Sequence, residues 1–361
     1  MDVDEKIKVI KSFAAEVVTE EELRQLFETK EHPVAYDGFE PSGPAGMHFG
    51  VMRAKNINRM LGIGIKFKLY IADYFAFMNN KLGGDLEHIR NAGKYFIEVW
   101  KAAGVDTSKV EIIWNSELMK DFKYWDRFIK IGRIFPLDRT KRAITIMGRK
   151  EGDAISTAQI FYPIMQATDI FEMDIDICQL GLDQRKANML AREAAQKFGW
   201  KVPVVVSHPL LLGLRGAPPS VKGEKDESVL MQFKMSKSDP KNSISVHDSK
   251  EQIYEKIGKA YCPEKIADGN PMIDFVEKII IDSKEEPITI DRPSKFGGPI
   301  EAANFGEMVR LYTEGKIHPL DLKNFVAEKI EEKIRPIREH FEKDAYASKL
   351  YSEIKSYSVT R

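Results

Sequence analysis

Residues 33–73 read PVAYDGFEPSGPAGMHFGVMRAKNINRMLGIGIKFKLYIAD, and this stretch decides the fold. Its opening run, PVAYDGF, predicts a short buried strand. A Gly/Pro-rich turn follows over 41–46, then a helical pattern through Leu61 that Gly62 and Gly64 bring to an end. Residues 66–73, KFKLYIAD, read as a second strand, with Phe67, Leu69 and Ile71 alternating on one face. Strand, helix and strand in this order make a βαβ unit and imply a parallel sheet.

The alternation continues outward from this unit. Leu86, Ile89, Gly93, Phe96 and Trp100 recur at helical spacing in a helix closed by Gly104, and 110–114 is a third strand. A helix through Ile164 and Ile170 precedes a strand at 174–179, a helix at 184–198 and a strand at 202–207. This order over the first half of the chain predicts a doubly wound α/β fold. Beyond about residue 250 the pattern is mainly helical. Leu322, Phe325, Val326, Ile330, Ile334, Ile337 and Phe341 trace one apolar stripe, with a kink expected at Pro336. The expected division is therefore 1–248 as an α/β domain and 249–361 as a helical one. No internal repeat is visible.

Composition narrows the class. The chain has 361 residues, 43% hydrophobic and 30% charged, an ordinary globular mixture. Basic and acidic side chains balance at 55 each, so a nucleic-acid partner has to be held by local patches rather than by a global field. One such patch is 121–150, with nine basic and three acidic residues and Tyr124, Trp125 and Phe128 among them. It reads as an insertion between two sheet strands, spanning about 115–155. Residues 213–227 are rich in Gly, Pro and charge and read as a mobile loop. Cys178 and Cys262 have no Cys or His at metal-ligand spacing, and the reading is two reduced thiols and no protein metal site. Neither a signal-peptide core nor a membrane-length apolar run is present, so the expected location is the cytoplasm, with no membrane partner.

Two motifs carry chemistry. His48-Phe49-Gly50 lies on the turn between the first strand and its helix, where a helix N-terminus offers N–H groups to a phosphate. A histidine there stabilises charge developing on a triphosphate, and Gly50 lets a nucleotide approach the backbone. Lys234-Met235-Ser236-Lys237-Ser238 follows the Gly/Pro loop, and its two lysines are suited to neutralising a pyrophosphate leaving group. Each motif alone also fits a solvated loop. Together, on a βαβ scaffold, they do not fit chance.

The paired motifs resemble the signatures of class I aminoacyl-tRNA synthetases. More closely, the chain resembles the archaeal and eukaryotic type of tyrosyl-tRNA synthetase, in YDGFEPSG at 36–43, YPIMQ at 162–166, DQRK at 183–186, KAYC at 259–262, KFGG at 295–298 and HPLDLKN at 318–324. The resemblance implies a Rossmann-like catalytic domain over 1–248, a mobile KMSKS loop at about 210–245 and an anticodon-binding helical domain. It implies L-tyrosine, ATP with Mg²⁺ and tRNA(Tyr) as partners, and a homodimer formed through the 115–155 insertion. The sequence departs from the family pattern at Val51, where the second histidine of the HIGH-type motif would stand, in the four residues between Gly43 and His48, and at Phe75, where many relatives carry histidine. The tail after Phe341 has no assigned counterpart.

The residues at these positions suit the implied chemistry. Tyr162, Gln166 and Asp169, at spacings of four and three, share one helix face. Tyr162, Gln166 and Gln184 offer oxygens to an ammonium group, and Tyr36 with Asp169 offers a donor and an acceptor to a phenol. Without the resemblance, Tyr36 reads as a core aromatic and Asp169 as a surface carboxylate. Gly181 and Asp183 stand where an α/β sheet binds ribose, though Asp183 also fits an N-cap of the helix starting at Gln184. The resemblance further places Gly38 in the tyrosine pocket, and Phe296, His318 and Asp321 on the anticodon, with Phe296 stacking on a base and Asp321 accepting from guanine. Rival readings are a tryptophanyl synthetase, a small-molecule nucleotidyltransferase and a non-catalytic RNA-binding protein.

Overall fold

The computed structural model describes residues 1–148, 154–219, 227–236 and 239–357. Part of the loop expected at 213–227, and the basic residues Arg149 and Lys150, lie outside these. Six strands form the main sheet: β1 (Glu16–Val18), β2 (Val34–Phe39), β3 (Lys66–Ile71), β4 (Val110–Trp114), β5 (Ile177–Gly181) and β6 (Val204–His208). Their order is β1-β6-β5-β2-β3-β4. β2 pairs in parallel with both β3 and β5, and β4 and β6 extend the parallel set outward. Chain order reverses between β2 and β5, the topological switch point at which α/β sheets open a crevice.

Alternation along each strand divides the core in two. Ala35, Phe39, Phe67, Leu69, Ile71, Ile177 and Val206 join one apolar layer with the helices Ala54–Gly62 and Leu86–Ala102. Tyr36, Tyr70, Cys178, Leu180 and Val205 face the other layer, which holds helices Thr157–Glu172 and Arg185–Phe198. Burial on both faces explains why these strands read as nearly unbroken apolar runs. The first layer continues into the C-terminal half, where Ile334, Ile337 and Phe341 of helix Pro319–Lys343 and Leu350 of helix Ala345–Ser356 join it.

Several boundaries differ from the sequence reading, each for a local reason. The strand expected at 174–179 begins at Ile177, because Asp174 adopts a positive φ of 49° while closing the preceding helix. Asp176 is a latch instead. Its carboxylate accepts from the Val34 amide and the Lys30 ammonium, both at 2.6 Å. The strand expected at 202–207 runs from Val204 to His208, since Pro203 has no N–H to give a ladder. β1 was not foreseen: it is three half-buried residues with no alternation, and it runs antiparallel to β6 at the sheet edge. The C-terminal half also holds a small antiparallel pair, Ile288–Ile290 with Ile300–Ala302. Helix Pro319–Lys343 is a single element through Pro336. None of the described helices is long and apolar enough to cross a membrane.

Gly93 is where helix Leu86–Ala102 lies closest to the sheet. A Cβ there would meet Trp114 Cη2 at 2.5 Å and Ile71 Cγ2 at 2.8 Å, whereas one at Gly62 would meet nothing within 4 Å. Gly93→Ala should therefore lower stability by about 1–3 kcal/mol through overpacking. Gly62→Ala should be neutral or should raise stability by about 0.5–1 kcal/mol. Paired urea unfolding curves check this, and equal effects at the two positions would contradict the packing account.

Candidate functional site

A cavity of about 780 Å³ opens at the carboxyl ends of β2 and β5, where the strand order reverses. Its wall includes Tyr36, Gly38, His48, Tyr162, Gln166, Gln184, Lys234 and Ser236, so the structure brings eight of the residues singled out in the sequence to one cavity. Others lie apart from it. Phe296, 60% exposed, carries the Lys295 ammonium 4.9 Å over its ring. His318 caps helix Pro319–Lys343, its Nδ1 accepting from the Leu320 amide at 3.1 Å, and Asp321 lies in that helix's first turn. Lys237 and Ser238 lie outside the described residues.

Helix Thr157–Glu172 is fixed at its start by a reciprocal capping box between Ser156 and Gln159. It presents Tyr162, Gln166 and Asp169 on one face, all buried. Asp169 is fully buried rather than a surface carboxylate. Its Oδ1 accepts from the Tyr124 hydroxyl at 2.9 Å, and its Oδ2 has no partner. The hydroxyls of Tyr36 and Tyr70, also buried, make no well-formed hydrogen bond to protein, though Tyr70 lies beside Asp169 and Tyr36 beside Gln166. The two rings meet edge to face, centroids 6.4 Å apart. Burial pushes the Asp169 carboxyl up to about 8, opposed by its tyrosine neighbours. Burial and then Asp169 raise Tyr70 and Tyr124, while burial, Cys178 and Asp169 raise Tyr36. Burial thus disfavours charge in this corner, a cluster of hydroxyl and carboxyl groups with unused hydrogen-bonding capacity.

Nearer the opening, the Tyr162 hydroxyl donates to Glu40 Oε1 at 2.5 Å, keeping its own lone pairs available. Asn79 donates to the same carboxylate. Gln166 Nε2 donates to Gln184 Oε1 at 3.3 Å, and Gln184 Nε2 to the Ile146 carbonyl at 3.0 Å. Both amides are thereby oriented. Phe75 meets the Tyr162 ring edge to face at 4.5 Å and forms part of the wall.

The other end of the cavity is built from charge. His48 opens a π-helix, His48–Arg53, that runs into helix Ala54–Gly62. The free N–H groups expected at this turn are not available: Phe49 and Gly50 donate to the Gly46 carbonyl at 3.0 Å, and Met47 to that of Ile244 at 2.8 Å. Gly50 also serves packing. A Cβ there would meet Val246 Cγ1 at 2.6 Å and Val99 Cγ1 at 3.1 Å, so the close approach it permits is between protein segments. Positive charge comes instead from side chains. Arg53 Nη1 donates to both oxygens of Asp37, at 3.1 and 3.2 Å, and its guanidinium lies 4.6 Å over the Phe39 ring. Burial lifts Asp37 to about 7 even against Arg53.

Lys234 Nζ donates to Asp183 Oδ2 at 2.9 Å. Burial works to raise Asp183, but Lys234, Arg53 and His208 outweigh it and hold the carboxyl below its ordinary value. A Cβ on Gly181 would collide with Asp183 Oδ1, so glycine is required for this carboxylate to fold back. Asp183 is not an N-cap: Gln184 occupies that position and makes no side-chain cap bond. His208, fully buried, is held well below its usual range by burial and then by Arg53, and its Nδ1 accepts from Gln179 Nε2 at 2.8 Å. Met235 is buried and its amide donates to Leu211 at 2.6 Å, anchoring the lysine's segment.

Sequence reasoning missed Asp37, Glu40, Arg53, Tyr70, Tyr124 and His208. For Asp37 the signal was present, since a carboxylate in a central buried strand demands a cation. Arg53 stands five residues after His48, an offset that a π-turn brings into play and an α-helical count does not. Among the described residues no three His, Cys, Asp or Glu side chains gather as a metal cage.

Residues 28–334 match the family of class I tRNA synthetases for tryptophan and tyrosine. The cytoplasmic tyrosine–tRNA ligase 1 of Arabidopsis thaliana is 43% identical over 363 residues, covering 100% of this chain and 90% of that protein. The tyrosine–tRNA ligase of Pyrococcus abyssi is 41% identical, covering 98% and 99%. Among solved structures, the tyrosyl-tRNA synthetase of Pyrococcus horikoshii complexed with L-tyrosine superposes with a TM-score of 0.89 at 39% identity, covering 98% of this chain and 100% of that one. With its sheet order and its full-length identity to these proteins, the chain belongs to the class I aminoacyl-tRNA synthetases, in the tyrosine–tRNA ligase family of archaea and the eukaryotic cytoplasm.

Proposed function

We propose that this chain activates L-tyrosine with MgATP and transfers the tyrosyl group to the 3′-terminal adenosine of tRNA(Tyr). The observation that carries the choice of amino acid is the set of buried, unpartnered oxygens on Tyr36, Tyr70 and Asp169. A phenol hydroxyl donates once and accepts twice, and so satisfies such a set. Phenylalanine leaves it unsatisfied, at about 1–3 kcal/mol for each buried group. Tryptophan brings a single N–H donor and no acceptor.

The rest of the cavity follows from the substrate. The ammonium group sits among the oxygens of Tyr162, Gln166 and Gln184, with Glu40 behind Tyr162 adding negative potential, and Gly38 leaves the ring room. The tyrosine carboxylate attacks the α-phosphorus of ATP in line, and pyrophosphate leaves. Asp183 beside Gly181 accepts from ribose hydroxyls. Lys234, released from Asp183 as the nucleotide enters, meets the phosphates together with His48 and Lys237. Gly50, Met235, Ser236 and Ser238 shape the two segments that carry these groups. A ribose hydroxyl of the tRNA then attacks the mixed anhydride. No protein nucleophile is used; positioning and charge stabilisation supply the rate.

The remaining assignments are read from surfaces. Phe122 and Ile129, 81% and 57% exposed, lie in the 115–155 insertion and suit a homodimer interface. Phe296, His318 and Asp321 meet the anticodon from the domain at 249–361, outside the catalytic domain at 1–248. The protein works in the cytoplasm.

ATP–pyrophosphate exchange tests the activation step: tyrosine alone should support it. Exchange with tryptophan alone would keep the mechanism and overturn the pocket. Asp169→Ala should raise the KM for tyrosine about 10- to 100-fold, the worth of one lost buried partner, and leave that for ATP within about threefold. An equal loss of both would contradict the assignment of Asp169 to the phenol.

A further inference from the structure

The tail after Phe341, unassigned from sequence, folds back onto helix Leu86–Ala102 as helix Ala345–Ser356. Asn91 Nδ2 donates to Glu353 and to the Tyr357 hydroxyl at 3.3 and 3.2 Å, and the His88 and Tyr357 rings stack at 3.8 Å. The same helix lays the Tyr351 ring on the His247 imidazole, with centroids 3.5 Å apart and planes within 15°. Phe341 closes the edge of that imidazole at 4.8 Å. His247 Nε2 lies 2.7 Å from the Tyr95 hydroxyl, which accepts from the Ala45 amide at 3.0 Å. Burial drives the His247 imidazolium down to about 3, so the ring is neutral. The Ala45 amide, the Tyr95 hydroxyl and His247 Nε2 are thus linked in one hydrogen-bonded chain.

Ala45 lies in the turn that delivers His48. The segment holding it follows the lysine motif: Val246 and Ser245 donate to the Ala45 carbonyl, and Met47 donates to Ile244. His48 itself folds back over Gly46, where a Cβ would stand 2.9 Å from its Nδ1. His48 is thus aimed by a turn whose outer side is held by Tyr95 and the 244–247 segment, and these are braced by the tail.

We propose that Tyr351, acting through His247 and Tyr95, is a positioning residue for His48, so that the C-terminal helix sets the geometry of the phosphate end of the active site. This rests on the reading of His48 as a phosphate-stabilising group. A device that aims a group used in the transition state changes kcat rather than tyrosine binding, because tyrosine meets the opposite end of the cavity.

The test is tyrosine-dependent ATP–pyrophosphate exchange by the full chain, with melting temperatures alongside. Tyr351→Ala should lower kcat roughly 5- to 20-fold with the tyrosine KM within about twofold, and Tyr351→Phe, which keeps the ring, should restore it. Tyr95→Phe, lacking only the hydroxyl, should lower kcat similarly. The double variant Tyr351→Ala/Tyr95→Phe should fall no further than the worse single, since both remove one device. An unchanged kcat in folded Tyr351→Ala, or losses that multiply in the double variant, would overturn the proposal. If Tyr351→Ala does not fold, Tyr95→Phe decides, and wild-type kcat there overturns it. Wild-type protein silent in exchange would count against the proposed function, whereas active wild type with unaffected variants would count against this inference alone.

Discussion

β2 is hydrogen-bonded in parallel on both sides, to β3 along its whole length and to β5 at Ala35 and Tyr36. Everything in the cavity depends on that pairing. Parallel strands deliver their carboxyl ends to one edge, and the reversal of order between β2 and β5 keeps the crossovers from covering it. Tyr36, Gly38 and Glu40 from the β2 side therefore meet Leu180 and Gln184 from the β5 side. Tyr70 arrives from β3 on the same face as Tyr36, because register pairs Tyr36 with Lys68 and Gly38 with Tyr70. A one-residue slip of β2 against β3 would turn Tyr36 into the opposite layer, part it from Tyr70 and break the floor of the site.

The two ends of the cavity use opposite electrostatic strategies. The end at Asp169 is desolvated, and burial raises its carboxyl and hydroxyl groups and disfavours charge there. Its oxygens without a protein partner leave hydrogen-bonding capacity that a ligand can complete. The end at Lys234 is charged but internally neutralised, with Asp183 on Lys234 and Asp37 on Arg53. In the proposed function a nucleotide replaces one of these pairs on both sides at once, ribose for the lysine and phosphate for the carboxylate. Glycines serve this charged end by close approach, Gly181 for Asp183 and Gly46 for His48.

Much of this was legible in the sequence because the relevant signals are local. The βαβ unit at 33–73, the capped helix Thr157–Glu172 and the spacing of Tyr162, Gln166 and Asp169 are short-range patterns. Where the sequence reading went astray, the cause was nonlocal. The amides at the His48 turn looked free because their acceptors, Gly46 and Ile244, include one almost two hundred residues away. The packing role of Gly50 was hidden because the side chains that meet it, Val246 and Val99, come from other elements. Tyr124 and Glu40 were invisible as site residues until folding placed them against Asp169 and Tyr162. The tail gave no family signal, and its role emerges only from the ring contacts of Tyr351 and Tyr357.

The most direct test of the central claim, that buried oxygens read a phenol, is a crystal structure of the protein with L-tyrosine. The phenol oxygen should lie within hydrogen-bonding distance, about 2.5–3.0 Å, of both the Tyr36 hydroxyl and Asp169 Oδ2, with the ammonium group toward Tyr162 and Gln166. A tyrosine bound the other way round, its phenol toward Lys234 and Asp183 and the oxygens of Tyr36 and Asp169 still unpartnered, would contradict it.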